Sequence, residues 1–468
     1  MLDIIGFLND NIIWGIPMLI LMIGTGLYLT VVTKGVIFRH FGILMKYTTA
    51  TLFKKQDPAE QEEGAITPFQ AVCTALSATV GTGNIVGVAL AIAVGGPGAM
   101  FWLWISALVG MVTKYAECML AVAYRDKNSK GEIIGGPMQY ITKGLGKRWL
   151  AVLFCIFGSI AAFGIGATVQ ANSLAGGVNA TFNIPFWVIG IVVAILAGLV
   201  LIGGIKRISA TAEILVPFMA VFYIVGAIAV LVVNAAAIPQ AFVDIFRSAF
   251  TGAAPVGGFA GATIIYAARI GVARGVFTHE AGMGSAPIAH ASASTDHPAR
   301  QGLWGAFEVF FDTIVMCTIT GLVILTSGRW MENPQLEKNA MSQAAFADAI
   351  PLGQYVVTIG LVLFAFATII AWYYYGEKCV EFLFHENRVV IRIYQVLYTV
   401  AVFLGCVASL NVVWLFADFF NGLMAFPNLF ALIALSPVIK KLSEDLFANP
   451  HRIRPRNTDY SRFIKLRG

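Results

Sequence analysis

The chain has 468 residues, of which 58% are hydrophobic and only 12% are charged, and its mean hydropathy is +0.79. These values lie far outside the range of soluble proteins, so they exclude a large water-soluble domain and predict an all-α integral membrane protein. The net charge of +6 does not indicate a nucleic-acid partner, because the basic residues collect in loops beside the predicted membrane spans.

Segments of about 20 mostly apolar residues predict bilayer-spanning helices, and about eleven such segments occur along the chain. They cover residues 12–32, 67–93, 98–123, 149–178, 185–205, 209–234, 258–292, 302–327, 353–375, 389–408 and 411–439. The first lacks the basic start and small-residue cleavage site of a signal peptide, so we interpret it as a helix. The last contains Pro427, which leaves open whether it is one broken helix or two.

Lysine and arginine are distributed very unequally between the two sets of alternating loops. Most lie in one set, whereas the opposite set holds only Arg247, Arg329 and Lys338. Because cytoplasmic loops retain positive charge, this pattern predicts an outside amino terminus and a cytoplasmic carboxyl terminus. We therefore expect a multi-pass protein of the cytoplasmic membrane whose basic tail lies against the lipid headgroups.

Setting aside the first helix leaves about ten spans, which divide into two groups of five that run in opposite directions, as in an inverted repeat. Each group opens with a span interrupted by small and polar residues, at 77–84 and at 271–285. Paired interruptions of this kind indicate a transporter site at the bilayer midplane. The predicted organisation is an extra helix and loop at 1–66, a first repeat at 67–234, a second inverted repeat at 235–441, and a basic tail at 442–468.

The first interruption predicts a site for an anion and a cation together. If the helix unwinds near Val80 and restarts near Asn84, the new half-helix presents free amides and a positive dipole end that suit a carboxylate. The preceding half-helix, which ends at residues 77–80, presents carbonyl oxygens that suit a small hard cation. Gly81 and Gly83 permit close approach of the backbone, and Thr82 and Asn84 add side-chain hydrogen bonds.

The second interruption contains charged residues that are expensive in a membrane span, so we expect Arg269, Arg274 and Glu280 to face the bundle and pair with one another. Glu280 is open to three interpretations: it holds a substrate ammonium, it shares a proton, or it locks the broken helix by pairing with Arg274. We interpret His279 as a hydrogen-bonding residue rather than a proton carrier.

Other carboxylates in the spans have plainer interpretations. Glu117 follows Lys114 by three positions, which predicts a local ion pair on one helix face. Glu308 and Asp312 share a face, where they either bond neighbouring helices or carry protons.

A membrane-embedded enzyme and a channel are the alternatives from other functional classes. His279 and Glu280 begin like a zinc motif, but Met283 stands where the second histidine is required. The chain also lacks a filter-like repeat that would indicate a channel. We therefore expect neither an enzyme nor a bound cofactor.

Several motifs together resemble the alanine or glycine:cation symporter family. They are residues 81–89 (GTGNIVGVA), 95–98 (GGPG), 135–140 (GGPMQY), 274–285 (RGVFTHEAGMGS) and 427–429 (PNL). The resemblance covers residues 67–439 and implies a LeuT-type fold with a five-plus-five inverted repeat after one extra helix. It also implies inward cotransport of a small neutral amino acid with sodium. One departure is the sequence THEAG at 278–282, where we expect SNEAG.

The resemblance also implies roles for individual residues. The backbone of Ser77 and Val80 and the hydroxyl of Thr368 are the implied sodium ligands, and Ala367 stands where the family often has a second hydroxyl. The residues assigned to the substrate are Gly81, Thr82, Gly83, Asn84, Gln170, Phe277, Thr278 and Trp372. For Gln170 and Trp372, helix packing is the alternative role. The choice among alanine, glycine, serine and glutamine, and between sodium and proton coupling, stays open.

Overall fold

The computed structural model describes residues 2–52, 62–251, 264–332, 338–408, 410–453, 460 and 463. The start of the span predicted at 258–292 and part of the basic tail predicted at 442–468, namely 454–459, 461–462 and 464–468, lie outside these residues.

Helices form nearly all of the described chain. The first half contains α1 (Leu2–Leu8), α2 (Ile16–Val32), α3 (Val36–Arg39), α4 (Phe41–Leu52), α5 (Pro68–Thr79), α6 (Val88–Gly95), α7 (Gly98–Ala123), α8 (Pro137–Leu145), α9 (Arg148–Ala161), α10 (Val169–Phe182), α11 (Phe186–Leu201) and α12 (Gly204–Val233). The second half contains α13 (Ile238–Thr251), α14 (Ile264–His279), α15 (Ala286–His290), α16 (Pro298–Val309), α17 (Thr318–Ser327), α18 (Arg329–Glu332), α19 (Lys338–Ala349), α20 (Gly353–Leu383), α21 (Arg388–Val407), α22 (Leu410–Ala434) and α23 (Ser436–Ala448).

Short irregular turns and one hairpin complete the described elements. Turns of π-helix occupy Asn9–Ile13, Gly83–Gly87, Ala162–Thr168 and Phe310–Cys317, and a 3₁₀ turn occupies Ala235–Ala237. The strands β1 (Asp126–Lys127) and β2 (Ile133–Ile134) pair antiparallel between α7 and α8.

Among the described residues, eight helices are long and apolar enough to cross a bilayer, or nine if the bent pair Pro68–Thr79 and Gly83–Gly95 counts as one span. Two predicted spans fall short of that test. The helix Phe186–Leu201 is apolar but has only 16 residues, and the span predicted at 258–292 is divided between α14 and α15. The span predicted at 411–439 is two helices, which separate at Leu435, whereas Pro427 lies inside α22.

Local sequence explains where α5 begins and where α10 ends. The Thr67 hydroxyl accepts a hydrogen bond from the Gln70 amide at 3.0 Å, the Gln70 side chain accepts one from the Thr67 amide at 3.1 Å, and Pro68 occupies the first helical position. This capping box satisfies amides that would otherwise lack partners at the start of α5. Asn183 ends α10 in the left-handed conformation, with φ of 54°.

The centre of the bundle is α7, which packs against both α14 and α16. Small residues allow this packing: a Cβ atom at Gly271 would lie 2.3 Å from the Ala99 carbonyl oxygen, and one at Gly275 would lie 2.0 Å from the Ser106 hydroxyl oxygen. Close contact between helices stabilises a membrane bundle, because lipid supplies no hydrophobic driving force between them. This packing sets the second interrupted span directly beside α7.

Candidate functional site

The first predicted interruption is confirmed. Helix α5 ends at Thr79, the next half-helix begins at Gly83, and the two pieces are bent by 48°. The Gly81 amide bonds the Thr79 carbonyl at 2.9 Å and the Asn84 side-chain oxygen at 3.0 Å. These local hydrogen bonds replace the i to i−4 bond that the Gly81 amide would make in a helix, and they stabilise the turn.

The break releases carbonyl oxygens at the end of α5. In a continuous helix the amides of Gly81 and Thr82 would bond the carbonyls of Ser77 and Ala78. Instead, Gly81 bonds within the turn and Thr82 donates to Gln170 Oε1 at 3.3 Å. The carbonyls of Ser77 and Ala78 therefore lack the helical donors that a continuous helix would supply within the described part of the chain.

Thr368 of α20 lies against this end of the break. A Cβ atom on Gly81 would be only 2.6 Å from Thr368 Oγ1, so the hydroxyl contacts the turn directly. The hydroxyl donates its proton to the Phe364 carbonyl at 3.0 Å. Its remaining capacity is as an acceptor, which suits a cation.

Two other residues of the break have contrasting surroundings. The Asn84 amide donates to Asp312 Oδ1 at 2.7 Å and to the Asp312 carbonyl at 3.0 Å, and its oxygen accepts from Gly81. Asn84 therefore braces the turn against the π-helical segment Phe310–Cys317. The Thr82 hydroxyl is buried and has no hydrogen-bond partner among the described residues.

The second interruption is shorter than predicted. Residues from Gly271 to His279 remain helical within α14, and the irregular backbone is confined to the six residues before α15. Glu280, Gly282 and Gly284 have φ of 52°, 91° and 81°. Glycine adopts such angles without steric cost, whereas the left-handed conformation of Glu280 is strained.

Glu280 does not pair with Arg274, and this predicted contact is wrong. Glu280 accepts hydrogen bonds from Trp372 Nε1 at 3.0 Å and from the Ser285 hydroxyl. The Arg274 guanidinium instead lies over the Phe277 ring, 5.5 Å from its centre. The physical reason is that α14 ends at His279, and the left-handed turn at Glu280 directs its side chain to Trp372 and Ser285.

His279 and Thr278 bond their own surroundings. His279 Nδ1 accepts from the Ala281 amide at 3.0 Å, and Nε2 lies 3.4 Å from the Ser106 hydroxyl. The Thr278 hydroxyl donates to the Gly275 carbonyl at 2.8 Å. Its methyl group would be 2.8 Å from a Cβ atom on Gly83, which places the end of α14 against the first break.

Glu117 is the residue that sequence reasoning misjudged most. Its Oε1 atom accepts hydrogen bonds from the Gly282 amide at 3.1 Å, from the Gly284 amide at 3.0 Å and from the side-chain amide of Asn428. The predicted local ion pair with Lys114 is absent from the described contacts, since Lys114 Nζ lies 3.4 Å from Glu308 Oε1. No local pattern reveals these partners, because the glycine amides become donors only when the second break packs against α7.

Glu308 also joins the second break to its neighbours. It accepts from Lys114 of α7 and lies 3.0 Å from His290 Nε2 at the end of α15. The side chains of all three residues are 0% exposed. A buried carboxylate needs such partners, so this contact fits the helix-bonding interpretation.

A small cavity lies where the two breaks meet. It is nearly closed, with a volume of about 10 Å³, and is lined by Ala78, Thr79, Gly81, Gly83, Ile165, Gln170, Phe277, Glu280 and Trp372. Gly81, Gly83, Gln170, Phe277, Glu280 and Trp372 are residues that the sequence analysis singled out, and the fold brings them together. Arg274 and His279 do not line it, and neither do Ser77, Val80 or Thr368, although Thr368 contacts the turn behind it.

Polar and apolar groups are separated within the cavity. Glu280 contributes a carboxylate whose oxygens accept hydrogen bonds, and the half-helix Gly83–Gly95 begins at the lining with its positive dipole end. Phe277, Trp372 and Ile165 supply the apolar wall. The lining therefore offers partners for both charges of a small zwitterion, and the cavity has to widen from its present volume to admit one.

Comparisons with known proteins agree on a transporter. The sodium:alanine symporter family model matches residues 1–457. The chain is 45% identical over 446 residues to the sodium/alanine symporter AgcS of Methanococcus maripaludis, covering 94% of this chain and 96% of the relative. It is 37% identical over 439 residues to GlnT of Bacillus subtilis, a probable sodium/glutamine symporter, covering 93% and 88% of the two chains.

Solved structures support the same fold. The crystal structure of MhsT in complex with L-phenylalanine superimposes with a TM-score of 0.55 at 14% identity, covering 83% of this chain and 99% of that chain. A sodium-coupled sialic acid symporter gives a TM-score of 0.52 at 12% identity, covering 86% and 85%. These likenesses show a LeuT-type fold, and the family relatives are transporters rather than enzymes. The chain therefore belongs to the sodium:alanine symporter family of multi-pass membrane transporters.

Proposed function

We propose that the chain imports a small neutral amino acid, alanine or glycine, by symport with sodium across the cytoplasmic membrane. The observation that carries this proposal is the cavity between the two breaks, which is lined from both of them. The family and the relative AgcS support sodium-coupled amino-acid symport. The choice of alanine or glycine as the amino acid is part of this proposal.

The cavity offers complementary partners for a zwitterion. The substrate carboxylate binds at the start of the half-helix Gly83–Gly95, where the positive end of the helix dipole favours an anion. The ammonium group binds the Glu280 carboxylate, which is held in place by Trp372 and Ser285. Phe277 and Trp372 enclose the side chain, so bulky amino acids clash with the wall.

Sodium, as co-substrate, binds at the end of α5. Its proposed ligands are the carbonyls of Ser77 and Val80 and the hydroxyl of Thr368. The diverted amides of Gly81 and Thr82 support this site, because they leave carbonyl oxygens without helical donors. Ala367, beside Thr368, provides no side-chain oxygen, so the site has one hydroxyl where the family often has two.

Transport follows from coupling between the two ligands. Sodium orders the carbonyls of the first break, the amino acid docks on the adjacent amides, and the bundle then rocks toward the cytoplasm. Each ligand therefore raises the affinity for the other by the same factor. The arrangement behind this motion is an inverted repeat, with 67–234 and 235–441 as its halves, the amino terminus outside and the carboxyl terminus in the cytoplasm.

A second candidate, proton-coupled transport of serine or glutamine, is favoured by one observation. Asp312 is 0% exposed, and its side-chain partners among the described residues are the neutral groups of Asn84 and Thr313. A carboxylate buried within a membrane span is a residue type that occurs in proton relays. The relative GlnT supports glutamine as a substrate to be tested.

Uptake of labelled alanine into proteoliposomes tests both candidates. An inward sodium gradient is compared with an inward proton gradient of equal size, and unlabelled glycine, serine, glutamine and D-alanine are added as competitors. We expect saturable uptake that requires sodium and is inhibited by glycine more strongly than by glutamine. Uptake driven by the proton gradient alone would support the second candidate and overturn the first.

A further inference from the structure

A carboxylate side chain of α7 contacts the second break. Glu117 is 0% exposed, and its Oε1 atom accepts hydrogen bonds from the amides of Gly282 and Gly284 and from the Asn428 side chain. The amide of Asn428 also donates to the Gly282 carbonyl at 2.8 Å. One carboxylate oxygen therefore receives three donors from the segment between α14 and α15 and from α22.

The backbone conformation of the second break explains why it needs a hydrogen-bond acceptor at this point. Gly282 and Gly284, with φ of 91° and 81°, turn their amides toward the same point. Backbone amides that converge in this way form a concave anion-binding nest. Unwound backbone in a membrane survives only where such groups find partners, so the nest has to be filled.

The other face of the same segment carries Glu280. Its carboxylate lines the cavity and is held by Trp372 and Ser285, whereas Glu117 lies on the α7 side and its Oε2 atom has no partner among the described residues. Lys114, the nearest cation along α7, contacts Glu308 instead. The hydrogen bonds of Glu117 are therefore directed at the break.

We propose that Glu117 is a positioning residue, a resident carboxylate that fills the anion nest of the second break. With the nest filled, the substrate carboxylate is directed to the first break and its ammonium group to Glu280. This inference rests on the proposed function and adds the residue that fixes the proposed orientation of the substrate. It predicts that an acceptor oxygen at this point, rather than a full charge, is what the break requires.

Equilibrium binding of labelled alanine to the purified full-length protein in sodium tests this proposal. In Glu117→Ala the nest is empty, so we expect alanine affinity to fall by about tenfold or more. Added formate, a carboxylate small enough to enter the nest, should restore most of that affinity, and it should not raise the affinity of the wild type. In Glu117→Gln the side-chain oxygen still accepts both amides, so we expect an affinity within about threefold of the wild type.

Tyr115→Phe is the matched control, because it removes a buried hydrogen bond from α7, to Ser443 at 3.0 Å, away from the break. We expect its alanine affinity to equal that of the wild type. Glu117→Gln decides the proposal on its own, since its volume is unchanged: a loss as large as that of Glu117→Ala would overturn it. Wild-type affinity in Glu117→Ala, or no rescue by formate, would also overturn it, whereas failure of the wild type to bind alanine would contradict the proposed function instead.

Discussion

At the scale of a single residue, substitution of Thr368 tests the proposed sodium site. Its hydroxyl contacts the turn at Gly81 and donates its proton to Phe364. We expect Thr368→Ala to raise the sodium concentration needed for half-maximal uptake by about tenfold, because one oxygen ligand is lost. Maximal uptake should change much less, and sodium titration of uptake in proteoliposomes measures both.

Thr399→Ala is the matched control for that variant. Thr399 of α21 makes the same kind of bond to its own helix, to the Gln395 carbonyl at 2.9 Å, but lies away from the break. It should leave the sodium titration unchanged. An unchanged titration in Thr368→Ala as well would remove Thr368 from the sodium site.

The position of the first break was predictable from the sequence, but the contacts of several charged side chains were not. Glycine pairs at membrane depth indicated the first break directly, because only a ligand or protein group can satisfy backbone exposed there. Glu117 and Arg274 had plausible partners within one or two turns, yet both contact other groups. The partners of Glu117 belong to the second break and to α22, so only the packed bundle reveals them, whereas Arg274 lies over Phe277, three positions along its own helix.

At the scale of the element, the first break depends on the absence of a side chain at Gly83. A Cβ atom there would lie 2.8 Å from the Thr278 methyl group and 3.4 Å from the Phe277 ring. We expect Gly83→Ala to weaken alanine binding by about tenfold or more, because the two breaks must then separate. Gly83→Leu should abolish binding in the same assay.

Gly87 provides the control within the same half-helix. A Cβ atom at Gly87 would meet no atom within 4 Å. Gly87→Ala should therefore bind alanine within about twofold of the wild type. Wild-type binding by Gly83→Leu would remove the substrate from the position proposed for it.

The two breaks also show how precisely the sequence predicts the bounds of an interruption in a helix. The first was located to within a few residues, since its small and polar residues are contiguous. The second was predicted over 271–285 but begins only after His279, because Gly271 and Gly275 serve close packing against α7 rather than a turn. A glycine-rich pattern alone does not separate those two uses.

At the scale of the whole molecule, the orientation in the membrane is a prediction from loop charge. The six native cysteines are buried, so single cysteines at exposed positions report the side of the membrane. Lys127→Cys in β1 and Arg247→Cys in α13 both replace exposed side chains. In intact cells, an impermeant maleimide should label position 247 and should label position 127 only after permeabilisation. The opposite pattern would reverse the proposed topology.

The central claim is that adjoining sites at the first break bind sodium and an amino acid together. Equilibrium binding to the purified protein tests it most directly, by measuring alanine affinity across a sodium titration and sodium affinity across an alanine titration. We predict that each ligand raises the affinity for the other by the same factor, within the range of about 5- to 150-fold. An alanine affinity that is identical in sodium and in an inert organic cation would contradict the claim.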